Sequence, residues 1–430
     1  MTGVRADRET QSDPLLACIG LTLGFFLLTL WRIWLPSGPY FDEIHYLPAA
    51  REIFGGYEYR NPEHPPLGKE IIAVGIAWFG DGPWGWRIFP AVAGALALFA
   101  GMRALWHASL SRDATLAYGV LLATGFQLFI HARIAMLDVF MAAFFLAALW
   151  FFVSACRAPS AGRARFDLAL AGIALGCAFA SKWNAAPIAP LLGLFFLALR
   201  LNAAGFSNVL TARDAAPVRG VSLVEAVLWL GVLPLAVYAA TFWPAFQVAG
   251  GPFDGMGLVG AHEHMLELQQ SVKEAHPYQS TWVQWVLNSR AIWYLYEVTD
   301  GAQRGVMLIG NPLTMLLGLL GMVWCAAIGI VKRRADALAA FALYAASIGF
   351  WIVAAKPIQF YYHYFLPSCF LLAGLALALG WLKQRGAAWA YWGVLAGSVA
   401  VFAFFYPIIS AAELDGEQAF NFWMWRDGWR

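Results

Sequence analysis

The sequence predicts an all-α polytopic membrane protein of about eleven transmembrane helices, and three observations carry that prediction. The chain of 430 residues is 61% hydrophobic and only 13% charged, where a soluble domain has roughly a quarter of its residues charged. Too few polar groups remain to cover a water-facing surface, so the solvent of most of this chain is lipid. Apolar runs recur along the whole length, and Lys and Arg fall in every second loop between them.

Taken in order, the runs lie near 15–35, 88–106, 114–131, 136–155, 168–182, 184–200, 222–244, 306–331, 337–355, 361–382 and 388–408. Each approaches the roughly 20 residues that a spanning helix needs. The run after the polar first 14 residues lacks a small-residue cleavage site and reads as an uncleaved first span. Residues 70–79 are about half the required length and read as a half-inserted or interfacial helix. With Arg5 and Arg8 in the cytoplasm, Arg103, Arg112, Arg157, Arg163, Arg165, Arg200, Arg213, Arg219, Lys332, Arg333, Arg334, Lys383 and Arg385 fall on the same side. A full span at 70–79 would break that alternation. The expected layout is therefore N-terminus inside and C-terminus outside. Two outer loops are long, 36–87 and 246–304, with juxtamembrane helices in the first. No hydrophilic domain, repeat or low-complexity segment interrupts residues 1–430, which read as one transmembrane domain. The tail Phe422-Trp423-Met424-Trp425-Arg426 is an interfacial aromatic cluster.

A formal net charge of +2 without a basic block argues against nucleic acid as a partner. The five scattered cysteines show no metal spacing and no disulfide framework. The ionisable residues that remain converge on the outer face. The first loop carries the acid pair Asp42-Glu43, then Glu63, His64 and Lys69. Arg133 ends the third run and Asp138 opens the fourth; Lys182 lies between the fifth and sixth. The second long loop has His262 and His264, then His276, Tyr278 and Ser280, and the tenth run opens with Tyr362 and His363. Charge near a bilayer is costly and marks pairs or pathways. A polar site under the lipid interface suits a lipid-linked phosphate. Arg133, Lys182 and Lys69 are suited to hold phosphate, Arg133 bidentately. A first-loop carboxylate is suited to take a proton from an attacking hydroxyl. Plainer readings stand beside these: a solvated turn for Asp42-Glu43, an Arg133–Asp138 ion pair across helix ends, a snorkelling Lys182, an aromatic belt around Tyr362. Glu63, His262 and His264 are candidates for a divalent metal.

Several stretches together resemble the protein O-mannosyltransferases, within the C-type superfamily of polyprenyl-phosphate-dependent glycosyltransferases. They are Phe41-Asp42-Glu43-Ile44-His45, His64-Pro65-Pro66-Leu67-Gly68-Lys69, Gly85-Trp86-Arg87-Ile88-Phe89-Pro90, the segment Ala132–Asp138, and Ser181-Lys182-Trp183-Asn184. His276-Pro277-Tyr278-Gln279-Ser280, Gly310-Asn311-Pro312 and the segment Tyr361–Pro367 complete the ordered series. The resemblance implies a bundle of eleven spans and a polyprenyl-phosphate-sugar donor, with mannose the family default. It implies inverting transfer to Ser or Thr hydroxyls of proteins, without a required metal. It assigns Asp42 as base, Glu43 as its neighbour and Arg133 to the donor phosphate. His276, Tyr278 and Ser280 fall at the donor site, and Lys182, Lys69, His64, Asp138, Tyr362 and His363 on the same donor-facing side. The chain lacks the β-trefoil insert of eukaryotic members, which fits a bacterial inner-membrane protein with its active site facing the periplasm or exterior.

Glu63 directly before His64-Pro65-Pro66 departs from that pattern. An acid there resembles the aminoarabinose transferases that modify lipid A, where it helps bind a metal. Transfer to lipid A or another glycolipid is accordingly the alternative acceptor class. A lipid or solute transporter is a more distant alternative, disfavoured because the polar residues gather at one face and no repeat is seen.

Overall fold

The computed structural model describes residues 11–430 apart from 56–59, 249, 272–273, 355 and 357; Arg5 and Arg8 lie outside the described residues. The chain is mostly helical. In order come α1 (Leu15–Leu30), α2 (Glu43–Gly55), α3 (Leu67–Phe79), α4 (Pro83–Ser109), α5 (Arg112–Ala123), α6 (Gln127–His131), α7 (Leu137–Ala155), α8 (Ala161–Ser181) and α9 (Pro190–Ala204). Then follow α10 (Leu223–Val227), α11 (Leu233–Thr241), α12 (Trp243–Phe246), α13 (Leu258–Ser271) and α14 (Trp282–Val286). A hairpin of β1 (Ile292–Thr299) and β2 (Ala302–Leu308) precedes α15 (Pro312–Val331), α16 (Ala335–Val353), α17 (Phe365–Gln384) and α18 (Ala388–Ile409). A two-residue β3 (Glu413–Leu414) adds to β2, giving the antiparallel order β1-β2-β3.

Among the described residues, nine helical segments are long and apolar enough to cross a membrane. Helices α7 and α17 are buried along nearly their whole length and form the centre of the bundle. Segment 223–246 and α18 are peripheral; exposed Leu16, Leu27, Val232, Leu235 and Trp243 belong to the hydrocarbon-facing surface that such a bundle presents.

Four elements depart from the sequence expectation, each for a local reason. Helix α1 stops at Leu30, short of residue 35, where Trp31–Trp34 turns and Arg32 takes φ 56°. The expected span 114–131 is broken at Thr124–Phe126, where Phe126 has φ 72°. Asn311 fills the break: its backbone N–H donates to Gly125 O at 3.2 Å and its side chain to Thr124 O at 3.0 Å, so carbonyls freed from the helix keep partners away from water. Residues 306–308 of the expected span 306–331 belong to β2, and the helix starts at Pro312 with Asn311 as N-cap. The aromatic tail folds back over the hairpin. Trp429 is buried, its indole donating to Asn288 O at 2.9 Å and its carbonyl accepting from Trp293 Nε1 at 3.0 Å.

Residues 70–79 behave as expected of a segment too short to cross. At 13 residues, α3 extends about 20 Å, and it folds back against the start of α4. A Cβ on Gly75 would lie 2.3 Å from Gly85 O, so only glycine permits that approach. The basic loops gather at the opposite end of the bundle: Arg103 pairs with Asp13 at 2.5 Å and Lys383 with Asp113 at 2.6 Å.

Candidate active site

The acid pair splits. Glu43, in the first turn of α2, is fully buried and accepts from Arg87 through both oxygens, at 2.8 and 2.7 Å. It also accepts from the backbone N–H groups of Ala135 at 2.9 Å and Tyr40 at 3.2 Å. Arg87 in turn donates to Ile33 O, Pro36 O and Gly38 O. Every lone pair and N–H of this ion pair has work to do, which is the condition under which a buried pair holds a structure together. Glu43 therefore clamps the first loop onto α4 and the α6–α7 turn, and has no oxygen left for substrate.

Asp42 is left partly exposed by that clamp. Among the described residues, its one side-chain hydrogen bond is long, 3.5 Å from the Tyr46 hydroxyl. Burial pushes its pKa up to about 6, opposed by the nearby Lys182 charge and reinforced by Asp138. Asp138, in the first turn of α7, pairs with Lys182 at 2.7 Å; its other oxygen is buried without a partner. Lys182 caps the C-terminus of α8 and places its ammonium 4.7 Å over the Tyr362 ring. Phe41 bridges loop and hairpin, stacking on Tyr294 at 3.9 Å and meeting Tyr362 edge-on at 6.3 Å. The Tyr294 hydroxyl lies 3.2 Å from His131 Nε2.

Lys356, between α16 and α17, completes the cluster. Burial lowers its pKa to about 8, Lys182 pushes the same way, and Asp138 and Asp42 oppose. Burial, then the charges of Lys182, Lys69 and Lys356, depress the pKa of His64, which sits edge-on to Tyr46 at 5.9 Å. Asp42, Asp138, Lys182, Tyr362 and His64 are thus brought together as the sequence expects. Lys356 and Tyr294 were not foreseen. An isolated lysine in an otherwise charge-poor outer loop, just before the Tyr361–Pro367 motif, was the available signal for Lys356; Tyr294 had none.

Other expected residues have different partners. Arg133 forms no ion pair with Asp138. It donates to Thr29 O and Trp31 O, both at 2.7 Å, and to Arg32 O and Ser410 O at 3.2 and 3.3 Å. These are carbonyls at the ends of α1 and α18, which lack helical partners and attract a cation. A bidentate phosphate contact from Arg133 is not met in this arrangement. The Lys69 ammonium donates to Asn61 O at 2.6 Å and His64 O at 2.9 Å, shaping the first loop. His363 is buried between Trp285 and Trp351, with Nδ1 against the Phe360 backbone. The second-loop motif docks on the segment that precedes Tyr361: Ser280 N–H donates to Gln359 O at 2.8 Å and the His276 ring meets Phe360, while Ser280 Oγ accepts from Trp285. Tyr278 is half-buried beside exposed His276 at the rim.

Of the metal candidates, His262 has both nitrogens engaged, with the Tyr238 hydroxyl and Leu258 O, each at 2.6 Å. His264 packs on Phe253 and Glu63 accepts from Asn61. Among the described residues no three His, Cys, Asp or Glu side chains converge as a metal site.

Comparison with known proteins places this arrangement. Residues 79–249 match the family described as dolichyl-phosphate-mannose-protein mannosyltransferase, and residues 256–429 match the C-terminal four-transmembrane region of protein O-mannosyltransferase. The polyprenol-phosphate-mannose–protein mannosyltransferase of Mycobacterium tuberculosis is 26% identical over 91% of this chain and 87% of its own length. The S. cerevisiae protein O-mannosyltransferase Pmt1-Pmt2 complex bound to the sugar donor superimposes with TM-score 0.80 at 14% identity, over 98% of this chain and 93% of that one. ArnT from Cupriavidus metallidurans bound to undecaprenyl phosphate shares the fold more distantly, with TM-score 0.60 at 19% identity, over 91% of this chain and 63% of that one. With both family regions present in order from residue 79 to residue 429, the chain belongs to the dolichyl-phosphate-mannose-protein mannosyltransferase family.

Proposed function

We propose that the chain transfers mannose, with inversion, from a polyprenyl-phosphate donor to Ser or Thr hydroxyls of proteins at the extracytoplasmic face of a bacterial inner membrane. Eleven spans with the N-terminus inside put the cluster on that face. The eleven are the nine long segments together with α1 and the broken α5–α6. The acceptor oxygen attacks the anomeric carbon as the bond from that carbon to the phosphate oxygen breaks. The hydroxyl proton passes to Asp42, and the polyprenyl phosphate leaves as an anion. Because phosphate is already a good leaving group, no general acid and no metal is required. Lys182 and Lys356 hold the phosphate, with the Asp138 ion pair at 2.7 Å aiming Lys182. Arg133 acts by tying the ends of α1 and α18 beside the site.

The observation that carries this reading is a carboxylate whose neighbours leave it open to an incoming hydroxyl and whose pKa is raised to about 6, a suitable value for a general base near neutral pH. The test is Asp42→Asn, assayed with a chelator present. Loss of a base costs about 10²- to 10⁴-fold in rate, so turnover falls by that factor while binding of polyprenyl phosphate persists and wild-type turnover is unaffected by chelation. Normal turnover in the variant would remove Asp42 from its role.

A further inference from the structure

The β-hairpin in the second outer loop has one unpaired edge, and its position relative to Asp42 has a use. The turn Asp300-Gly301 has φ of 50° and 74° and is flanked by the pair Thr299 and Ala302. In a two-residue hairpin of this type the flanking pair exchanges both ladder bonds. Alternation then turns the N–H and C=O of Val298 and Tyr296 outward, away from β2. The far side of β2 is taken, at Gln303 and Arg304, by β3. On β1 no backbone group of the described residues pairs with the outer side between Trp293 and Thr299. Glu297 is exposed and Val298 is 74% exposed, although these two side chains point to opposite faces. The edge of β1 is therefore open, with Glu297 and Val298 exposed at its outer end, while the Tyr296 ring packs on Phe420 of the C-terminal tail.

This edge leads into the site. Tyr294, two residues before Tyr296, carries the ring that stacks on Phe41, the neighbour of Asp42. At the other end Ser37 N–H donates to Asp300 Oδ2 at 2.8 Å. The hairpin is thus pinned at its tip and at Tyr294 to the same loop that presents the base.

We infer that the outer edge of β1 binds the acceptor polypeptide as an added, extended strand that delivers its Ser or Thr to Asp42. Backbone pairing grips a chain without reading its side chains, which suits an acceptor whose reactive hydroxyl occurs in varied sequences. The inference rests on the protein-acceptor reading above.

Wild-type enzyme, a polyprenyl-phosphate mannose donor and a series of synthetic Thr peptides test it, each peptide N-methylated at one amide. Pairing with one edge uses every second amide, so methylation raises acceptor KM about fivefold at alternate positions and leaves the intervening positions unchanged, with kcat constant. Val298→Pro removes one outward N–H at a position where an edge strand tolerates proline. It raises acceptor KM similarly and leaves donor KM unchanged. A flat profile along the peptide overturns the inference. So does a Val298→Pro enzyme with normal acceptor kinetics. If wild-type enzyme labels no unmodified peptide, the protein-acceptor reading has failed, and the edge assignment falls with it.

Discussion

Two adjacent acids, Asp42 and Glu43, end in opposite environments, and the difference comes from their partners. Glu43 meets Arg87 and two backbone amides; Asp42 meets one distant hydroxyl and a pair of lysine charges. A pH profile follows from the Asp42 and Lys356 shifts. Below about 6, Asp42 is protonated and cannot accept the hydroxyl proton, so kcat/KM falls about tenfold per pH unit on the acid side. Above about 8, donor-free Lys356 loses its charge and phosphate capture weakens. The expected kcat/KM curve is a bell between these limits, and Lys356→Arg removes the alkaline limb while keeping the acid one. An alkaline limb unmoved in Lys356→Arg would take Lys356 out of the donor site. Asp42 was legible as one of a pair in a loop, and the resemblance singled it out. Arg133 and Lys69 read as phosphate holders from their charge, Arg133 from the resemblance as well, and neither signal reveals that nearby carbonyls will claim a cation. Those carbonyls belong to α1, α18 and the Asn61–His64 turn, which only the fold brings near.

At the scale of elements, the site depends on short pieces held by a few polar clasps. The Glu43–Arg87 pair joins the first loop, α4 and the α6–α7 turn. Glu43→Gln leaves a buried, unmatched guanidinium and costs about 3–5 kcal/mol, measured by unfolding in mixed micelles. The double variant Glu43→Gln with Arg87→Met loses less than the sum of the single losses, because the unpaired charge has gone. Additive losses would mean that the two side chains stabilise the fold independently. The short α3 was legible from length alone. The break between α5 and α6 was not, because its cause, Asn311, lies nearly two hundred residues away in sequence. The hairpin carried a local signal: Asp300-Gly301 between runs rich in Tyr, Trp, Val and Ile is a two-residue turn sequence. It was hidden because the apolar residues after it continue without interruption into α15, and an unbroken apolar run reads as a span.

For the whole molecule, apolar runs and alternating charge carried most of the architecture, because lipid permits few alternatives to helices with fully satisfied backbones. Burial then sorts the helices into a centre, α7 and α17, and a lipid-facing ring. The basic loops and the acid–lysine cluster lie at opposite ends of that bundle, since Arg103 and Lys383 pair with Asp13 and Asp113 at one end while Lys182 pairs with Asp138 at the other. Basic loops tend to stay in the cytoplasm, so the proposed layout would turn the cluster outward, to the side where the proposed transfer takes place. Two exposed positions report this directly. Gln384 ends α17 at the start of a basic loop, and Glu417 follows α18 near the hairpin. In intact spheroplasts a membrane-impermeant maleimide labels Glu417→Cys and spares Gln384→Cys, which reacts only after permeabilisation. The native cysteines, buried or half-buried in helices or at their ends, supply a low background in the parent protein. The reverse labelling pattern would put the basic loops outside, turn the acid–lysine cluster to the cytoplasm, and leave the proposed transfer on the wrong side of the membrane.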